Sequence, residues 1–410
     1  MKPLSTFRFF SLAIIFLSFT SCKDADDDKG NGNGIIGIGA NDVSEATAIM
    51  GLDLLKAIHA KEQGETVLIS PLSIQTAFNM ALEAAEENTY DQITATMRYG
   101  AFDLEAIRKQ SGETANVLVN QSGHPSVTIA NAFFYDAARL DPKEAFLDAL
   151  SDYYAAHVAT DNFAQQSAVD NINQWVNDKT KGLIEEIIDD ISPEEIAFLI
   201  NALHFKSDWA HGFEEAATAQ GQFTKSDGSS ITVDFMSKDR TITSTMNDQW
   251  EMVDLPFKDS TFSLTLVRPT DGQKTNWLKD FTHQDLRSLY DKLQAQRIYL
   301  KMPKMELEFE YELSEPLKDL GMTDAFSSQV ADFTAMGTPL IGPRIFITRV
   351  DHKTVLKVDE KGAEGAAVTS IGFGVLSMPP SITFDVPYLL SLRHIPSGTV
   401  LFMGFVEEPS

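Results

Sequence analysis

The chain has 410 residues, with 33 Lys+Arg against 59 Asp+Glu and a formal net charge of −26. Nucleic-acid and glycosaminoglycan partners need cations clustered on one face, so this balance argues against both. Hydrophobic residues make up 43% and charged ones 22%, enough apolar material for a sizeable core and too much for a disordered chain. The single cysteine, Cys22, can make neither an internal disulfide nor a zinc site.

Residues 1–22 place Lys2 and Arg8 ahead of an apolar run from Phe9 to Phe19, followed by Thr20, Ser21 and Cys22. That run is too short to span a bilayer, which takes about 20 residues, and it predicts a secretory signal. Cys22 resembles the acceptor position of a bacterial lipoprotein, so cleavage before it and lipidation of its thiol are expected. Residues 23–42 are acidic and Gly-rich and predict a flexible tether. Asp24, Asp26 and Asp28 mimic the start of a calcium loop, but Lys29 and Ile35 stand where Gly and Glu are required. Gly32, Gly34 and Gly37 formally satisfy G-x-G-x-x-G without a preceding strand or a following helix. The acidic run after Cys22 is similar to signals that send some bacterial lipoproteins to the outer surface, so a surface-exposed, outer-membrane-anchored protein is expected.

From residue 43 onward both helical and strand periods occur. Ser70 and Pro71 form an N-cap and first-turn pair, and Ile74, Ala77, Phe78, Ala81, Leu82 and Ala85 recur at helical spacing. Val169, Ile172, Trp175 and Val176 predict a second helix ending near Gly182. Met305, Leu307, Phe309, Tyr311 and Leu313 alternate with Glu306, Glu308, Glu310 and Glu312, the pattern of a half-buried strand. Further extended runs are read at 198–205, 250–255, 261–267, 344–358, 382–389 and 399–406, with helices mostly in the N-terminal half. No repeat or second linker divides 43–410, which predicts a single α+β domain.

Enzyme signatures are missing: there is no H-E-x-x-H, G-x-S-x-G, Walker loop or CxxC pair. His204 and His352 sit in apolar runs, where a structural histidine is the better reading. Trp175, Trp209, Trp250 and Trp277 read as core residues.

The informative stretch is 360–380, EKGAEGAAVTSIGFGVLSMPP. Its small residues suit an exposed loop, but its parity says more. Ala363, Gly365, Ala367, Thr369, Ile371, Phe373 and Val375 share one face, while Glu364 falls on the other. A segment that must at times become a central strand would be sorted this way, because a buried charge costs several kcal/mol.

These residues resemble a serpin, and the likeness covers nearly all of 43–409. VDEKGAEGAAV is similar to the family hinge, with Glu360, Gly362, Ala363, Gly365, Ala366 and Ala367; NALHFKSDW at 201–209 is similar to its N-A-x-x-F-K-x-x-W strand. Ser70, Ser73, Asn201 and His352, with Trp209, match the family's sheet-opening cluster. MTDAF (322–326), ADF (331–333) and LFMGFVEEP (401–409) complete the set.

The resemblance implies three β-sheets, about eight or nine helices and an exposed reactive-centre loop at about 360–380. It implies a suicide-type inhibitor rather than an enzyme. A protease would attack the bait bond, and the cleaved loop would insert into the main sheet before the acyl-enzyme is released. Sixteen residues on from Glu360 lies Leu376–Ser377 as the implied bond, with Val375 and Phe373 as neighbouring choices. Leu376 suits chymotrypsin-, cathepsin G-, elastase- or subtilisin-like serine proteases, with papain-like cysteine proteases as a further class. Ala363 stands where inhibitory members often carry Thr, and Gly365 where Ala is usual, so a non-inhibitory serpin acting as a surface binding protein is the alternative. A monomer without cofactor, metal or nucleic acid is expected.

Overall fold

The computed structural model describes residues 42–409 apart from Ala101, 120–125, Asp259, 272–276 and 364–378. Among the described residues there are eight α-helices: α1 Val43–Lys61, α2 Pro71–Leu82, α3 Glu87–Thr96, α4 Leu104–Val119, α5 Glu144–Tyr154, α6 Gln166–Lys179, α7 His283–Tyr290 and α8 Ser314–Asp319. The strands are β1 Val67–Ile69, β2 Ser126–Tyr135, β3 Leu140–Pro142, β4 His157–Thr160, β5 Ala197–Asp208, β6 Ala219–Thr224, β7 Ser230–Met246, β8 Trp250–Pro256 and β9 Phe262–Pro269. They continue with β10 Gln294–Pro303, β11 Met305–Glu312, β12 Gly337–Pro339, β13 Asp351–Val358, β14 Gly362–Ala363, β15 Ser381–Thr383, β16 Tyr388–His394 and β17 Val400–Val406.

The largest sheet runs β1-β17-β16-β9-β8-β7-β10-β15, with β6 paired to β7. Its strands β8, β9, β16 and β17 are buried on both faces. Met252, Val267, Leu389 and Phe405 enter a core shared with α1 and α2, whereas Val253, Leu266, Leu390 and Val406 enter a second core shared with β5 and β13. That explains why β8, β9, β16 and β17 read as near-continuous apolar runs rather than alternating ones. The second layer holds β14-β5-β2-β4 and the pair β11-β13. β11 alternates because its Glu306, Glu308 and Glu310 side chains face outward, toward Lys357 and Lys353 of β13. Helix α6 covers the outer face, where Val169, Ile172 and Val176 meet Ala132, Phe134 and Ile200, with Val355 of β13 packed against them.

Local chemistry sets the element ends. Ser70 caps α2 by accepting from the Ser73 N–H at 3.2 Å. The helix stops at Leu82, short of Ala85, because the Ala84 and Ala85 N–H groups turn back onto Ala81. Helix α6 stops at Lys179, three residues short of Gly182, which has φ +84° and donates its N–H back to the Asn177 carbonyl at 2.9 Å. Two extended runs are shorter than their apolar patterns. Residues 344–350 form no ladder, although Ile345 is buried, and Ile347 instead bonds the Ala325 carbonyl. The 382–389 run breaks at Pro387, which has no N–H to give, so β15 joins β10 while β16 joins β9 and β17.

Candidate functional site: a hinge above an open seam

Among the described residues, β5 and β13 belong to different ladders. Between them, beneath α6 and over α2, lies a cavity of about 210 Å³. Ser70, Ser73, Asn201 and His352 all line it. The Ser70 N–H donates to His352 Nε2 at 3.0 Å, and its hydroxyl donates to the Leu401 carbonyl at 2.7 Å. His352 is therefore neutral with its proton on Nδ1, and burial pushes its pKa down to about 4. Thr354, two residues along β13, donates to the Leu68 carbonyl at 2.7 Å. The start of α2 is thus fixed to β13 and β17.

Asn201 stands across the cavity on β5. Its amide N–H donates to Asn131 Oδ1 at 2.8 Å, and Asn131 donates in turn to the Tyr154 carbonyl at 2.7 Å. The Asn201 carbonyl oxygen is buried with no hydrogen-bond partner among the described residues. A buried acceptor left without a donor costs about 1–3 kcal/mol. No hydrogen bond joins Asn201 to His352 among the described residues.

Trp209 does not line this cavity. Aromatic packing holds it just beyond the end of β5, stacked on Phe257 at 4.6 Å and an interplanar angle of 4°. Its Nε1–H donates to the Asp359 carbonyl and its backbone N–H to the Lys361 carbonyl, both at 2.8 Å. The Phe213 N–H donates to the Glu360 carbonyl at 2.8 Å. Asp359 closes the turn by accepting from the Lys361 and Gly362 N–H groups at 2.7 and 3.2 Å.

After that turn, Gly362 and Ala363 pair with Asp208 and Ser207, antiparallel to β5. Glycine is required at 362 because a Cβ there would lie 2.2 Å from the Ser207 carbonyl oxygen and 2.7 Å from Asp208 Cα. Ala363 is 2% exposed and packs in the core that holds Leu203, Phe205, Leu356 and Val358. Glu360 is buried, accepts from the Thr218 hydroxyl at 2.7 Å and lies 3.0 Å from Lys304 Nζ. Burial opposes its ionisation, but the bonds from Thr218 and Lys304 outweigh that and hold the carboxyl below its ordinary range.

Thr218 and Lys304 carry no local sequence signal for this role; only the fold brings them to Glu360. Gly365, Ala366, Ala367, Leu376, Ser377 and Cys22 lie outside the described residues, as do the loop's exposure and the N-terminal signal.

A two-residue strand, Gly362–Ala363, thus pairs with β5 above a cavity that separates β5 from β13. Residues 45–409 match the sequence profile of the family described as Serpin (serine protease inhibitor), and the chain belongs to this family. It is 28% identical over 373 residues to glia-derived nexin of Homo sapiens, covering 88% of this chain and 92% of that one. It is likewise 28% identical over 383 residues to the leukocyte elastase inhibitor of Homo sapiens, covering 90% and 99%. Among solved structures, the thermophilic serpin tengpin in its native state is similar with a TM-score of 0.81 and 27% identity, covering 89% of this chain and 94% of that one. Serpins are mostly protease inhibitors rather than enzymes, and their targets are generally serine proteases.

Proposed function

We propose that this chain is an irreversible, suicide-type inhibitor of serine endopeptidases with apolar primary specificity. In this reading a protease attacks the Leu376 carbonyl, Ser377 leaves as the new N-terminus, and the acyl-linked loop inserts between β5 and β13. The carrying observation is the pairing of Gly362 and Ala363 with β5, because it sets the register of the incoming strand. Continued after cleavage, that register sets Gly365 opposite Phe205, Ala367 opposite Leu203 and Thr369 opposite Asn201. A threonine hydroxyl there can donate to the Asn201 carbonyl oxygen that now lacks a partner.

The energy is sufficient. On the order of ten new backbone hydrogen bonds at about 1 kcal/mol each, with four apolar side chains at about 2 kcal/mol each, give roughly 15–20 kcal/mol. The small inward-facing residues, with no charge or proline among them, support entry of the strand. The chain would act outside the cytoplasm, carried by residues 1–22 and tethered through Cys22 and the 23–42 segment.

The test is incubation with neutrophil elastase, cathepsin G, chymotrypsin and subtilisin, followed by denaturing gels and sequencing of the released peptide. A detergent-stable covalent complex with a peptide beginning at Ser377 is expected. Clean cleavage with no complex would overturn the inhibitory reading in favour of a surface binding protein.

A further inference from the structure

In a chain with 59 acidic residues, three cationic side chains stand together without a carboxylate. Lys238 and Arg240 are two residues apart on β7, so their side chains leave the same face of the strand. Lys238 Nζ donates to the His211 carbonyl at 3.1 Å and lies 3.8 Å from the centre of the Phe213 ring. His211 and Arg240 are exposed. Arg240 acts electrostatically on both Lys238 and His211, Lys238 acts on His211, and no carboxylate is among the charges that act on either. Neighbouring carboxylates are already taken: Asp208 lies 3.4 Å from Lys258, Glu215 3.6 Å from Lys361 and Asp239 2.8 Å from Arg297.

The sheet is interrupted at this point. β6 pairs with β7 only as far as Phe235, and β8 takes over only from Thr243. Between them, among the described residues, β7 has a strand on its β10 side alone. The chain beyond β5 crosses the other side, held by the Ser237 hydroxyl on the Ala217 carbonyl at 3.1 Å and by Lys238 on His211. Donors remain to spare there. An ammonium has three and Lys238 spends one on His211. The Arg240 guanidinium offers a planar fork of five that matches an oxyanion in pairs.

Like charges gathered without a counter-ion repel one another. Burial first, and then Arg240, pushes the Lys238 amine down to about 7, and the His211 imidazole is lowered by loss of water around it and by Arg240 and Lys238. An anion set among them reverses both shifts. Charge and shape select its class. A singly charged carboxylate would leave the group in excess of positive charge, and an extended polyanion would run onto Asp208, Glu214, Glu215 and Asp239, which flank these residues in the chain. A compact tetrahedral dianion presents oxygens to donors arriving from different directions.

We propose that Lys238, Arg240 and His211 bind a small tetrahedral oxyanion, inorganic phosphate or sulfate, between β7 and residues 209–213. The same short segment carries Trp209 and Phe213, whose N–H groups hold the Lys361 and Glu360 carbonyls, so the anion lies against the hinge. The site stands on described residues alone and on neither the bait bond nor protease capture. The test follows the phosphorus-31 resonance of inorganic phosphate as the full chain is added near pH 7.5, with chloride holding ionic strength constant. Saturable broadening is expected, reversed by sulfate and not by acetate. Affinity should fall at least about tenfold in Arg240→Gln and in Lys238→Met, which keeps an apolar stem over the Phe213 ring. Labelling of Lys238 by trinitrobenzenesulfonate should slow as phosphate saturates, while that of exposed Lys109 stays unchanged. Broadening that never saturates, or that persists at equal affinity in both variants, would overturn the site. Equal reversal by acetate would overturn its preference for a dianion.

Discussion

Lys304 Nζ stands 3.0 Å from Glu360 Oε2, so the residue between β10 and β11 holds the first residue of the hinge. Lys304 is exposed and Glu360 is buried, and the two ends of this pair differ in what their loss should do. Lys304→Ala leaves Glu360 with Thr218 and should cost about 1–3 kcal/mol. Glu360→Lys sets two ammonium groups together at a buried point and should cost more, with association of chains on native gels. Scanning calorimetry and native electrophoresis read both outcomes, and equal melting temperatures for wild type and Glu360→Lys would exclude the clasp.

Gly362→Ala should undo the β14–β5 pairing, since its Cβ would meet backbone that cannot yield. Slower covalent complex formation is expected, with a larger share of molecules cleaved as substrate. Stopped-flow kinetics against chymotrypsin measures it.

Ala363→Arg tests the burial of the first paired side chain. At 2% exposure it has no room for a guanidinium. The expected outcome is conversion from inhibitor to substrate, read as loss of the detergent-stable complex with cleavage retained. Undiminished complex formation would refute insertion.

His352 predicts a pH dependence. Its folded pKa of about 4 lies below the ordinary value of 6.5 because burial disfavours the imidazolium. The unfolded chain therefore binds the proton more readily between these values, and stability falls as pH drops from 6.5 toward 4. The loss is on the order of 3 kcal/mol, and protonation of Nε2 also removes the acceptor for the Ser70 N–H. Melting curves across that range should flatten in His352→Gln.

Lys238 also lies near the hinge, over the rings of Trp209 and Phe213. Its ammonium lies 3.8 Å from the centre of the Phe213 ring and donates to the His211 carbonyl at 3.1 Å. Burial, with Arg240 nearby, lowers its pKa to about 7. Near pH 7.5 it should react with trinitrobenzenesulfonate ahead of the surface lysines, as peptide mass spectrometry would reveal.

Much of this arrangement is legible in residues. The resemblance groups Ser70, Ser73, Asn201 and His352, which do line one cavity, and of the alternating 363–375 stretch the described Ala363 is buried, as a period of two with one inward face requires. The partners of the hinge leave no mark in the sequence pattern. Thr218 and Lys304 reach Glu360 only through tertiary packing, and Trp209 reads as one of several core tryptophans until its indole N–H is seen on the Asp359 carbonyl. Apolar content also overstates strand length at 344–350, where Ile345 is buried without a ladder.

The two rungs at Gly362 and Ala363 change what limits the response. Starting a strand between two others is the improbable event, because several dihedral angles must be fixed before any contact repays them. On the inhibitory reading proposed above, that search is complete before a protease arrives. The speed of capture then depends on how readily the sheet parts below Ala363, and substitutions along the lower seam should alter timing without altering alignment.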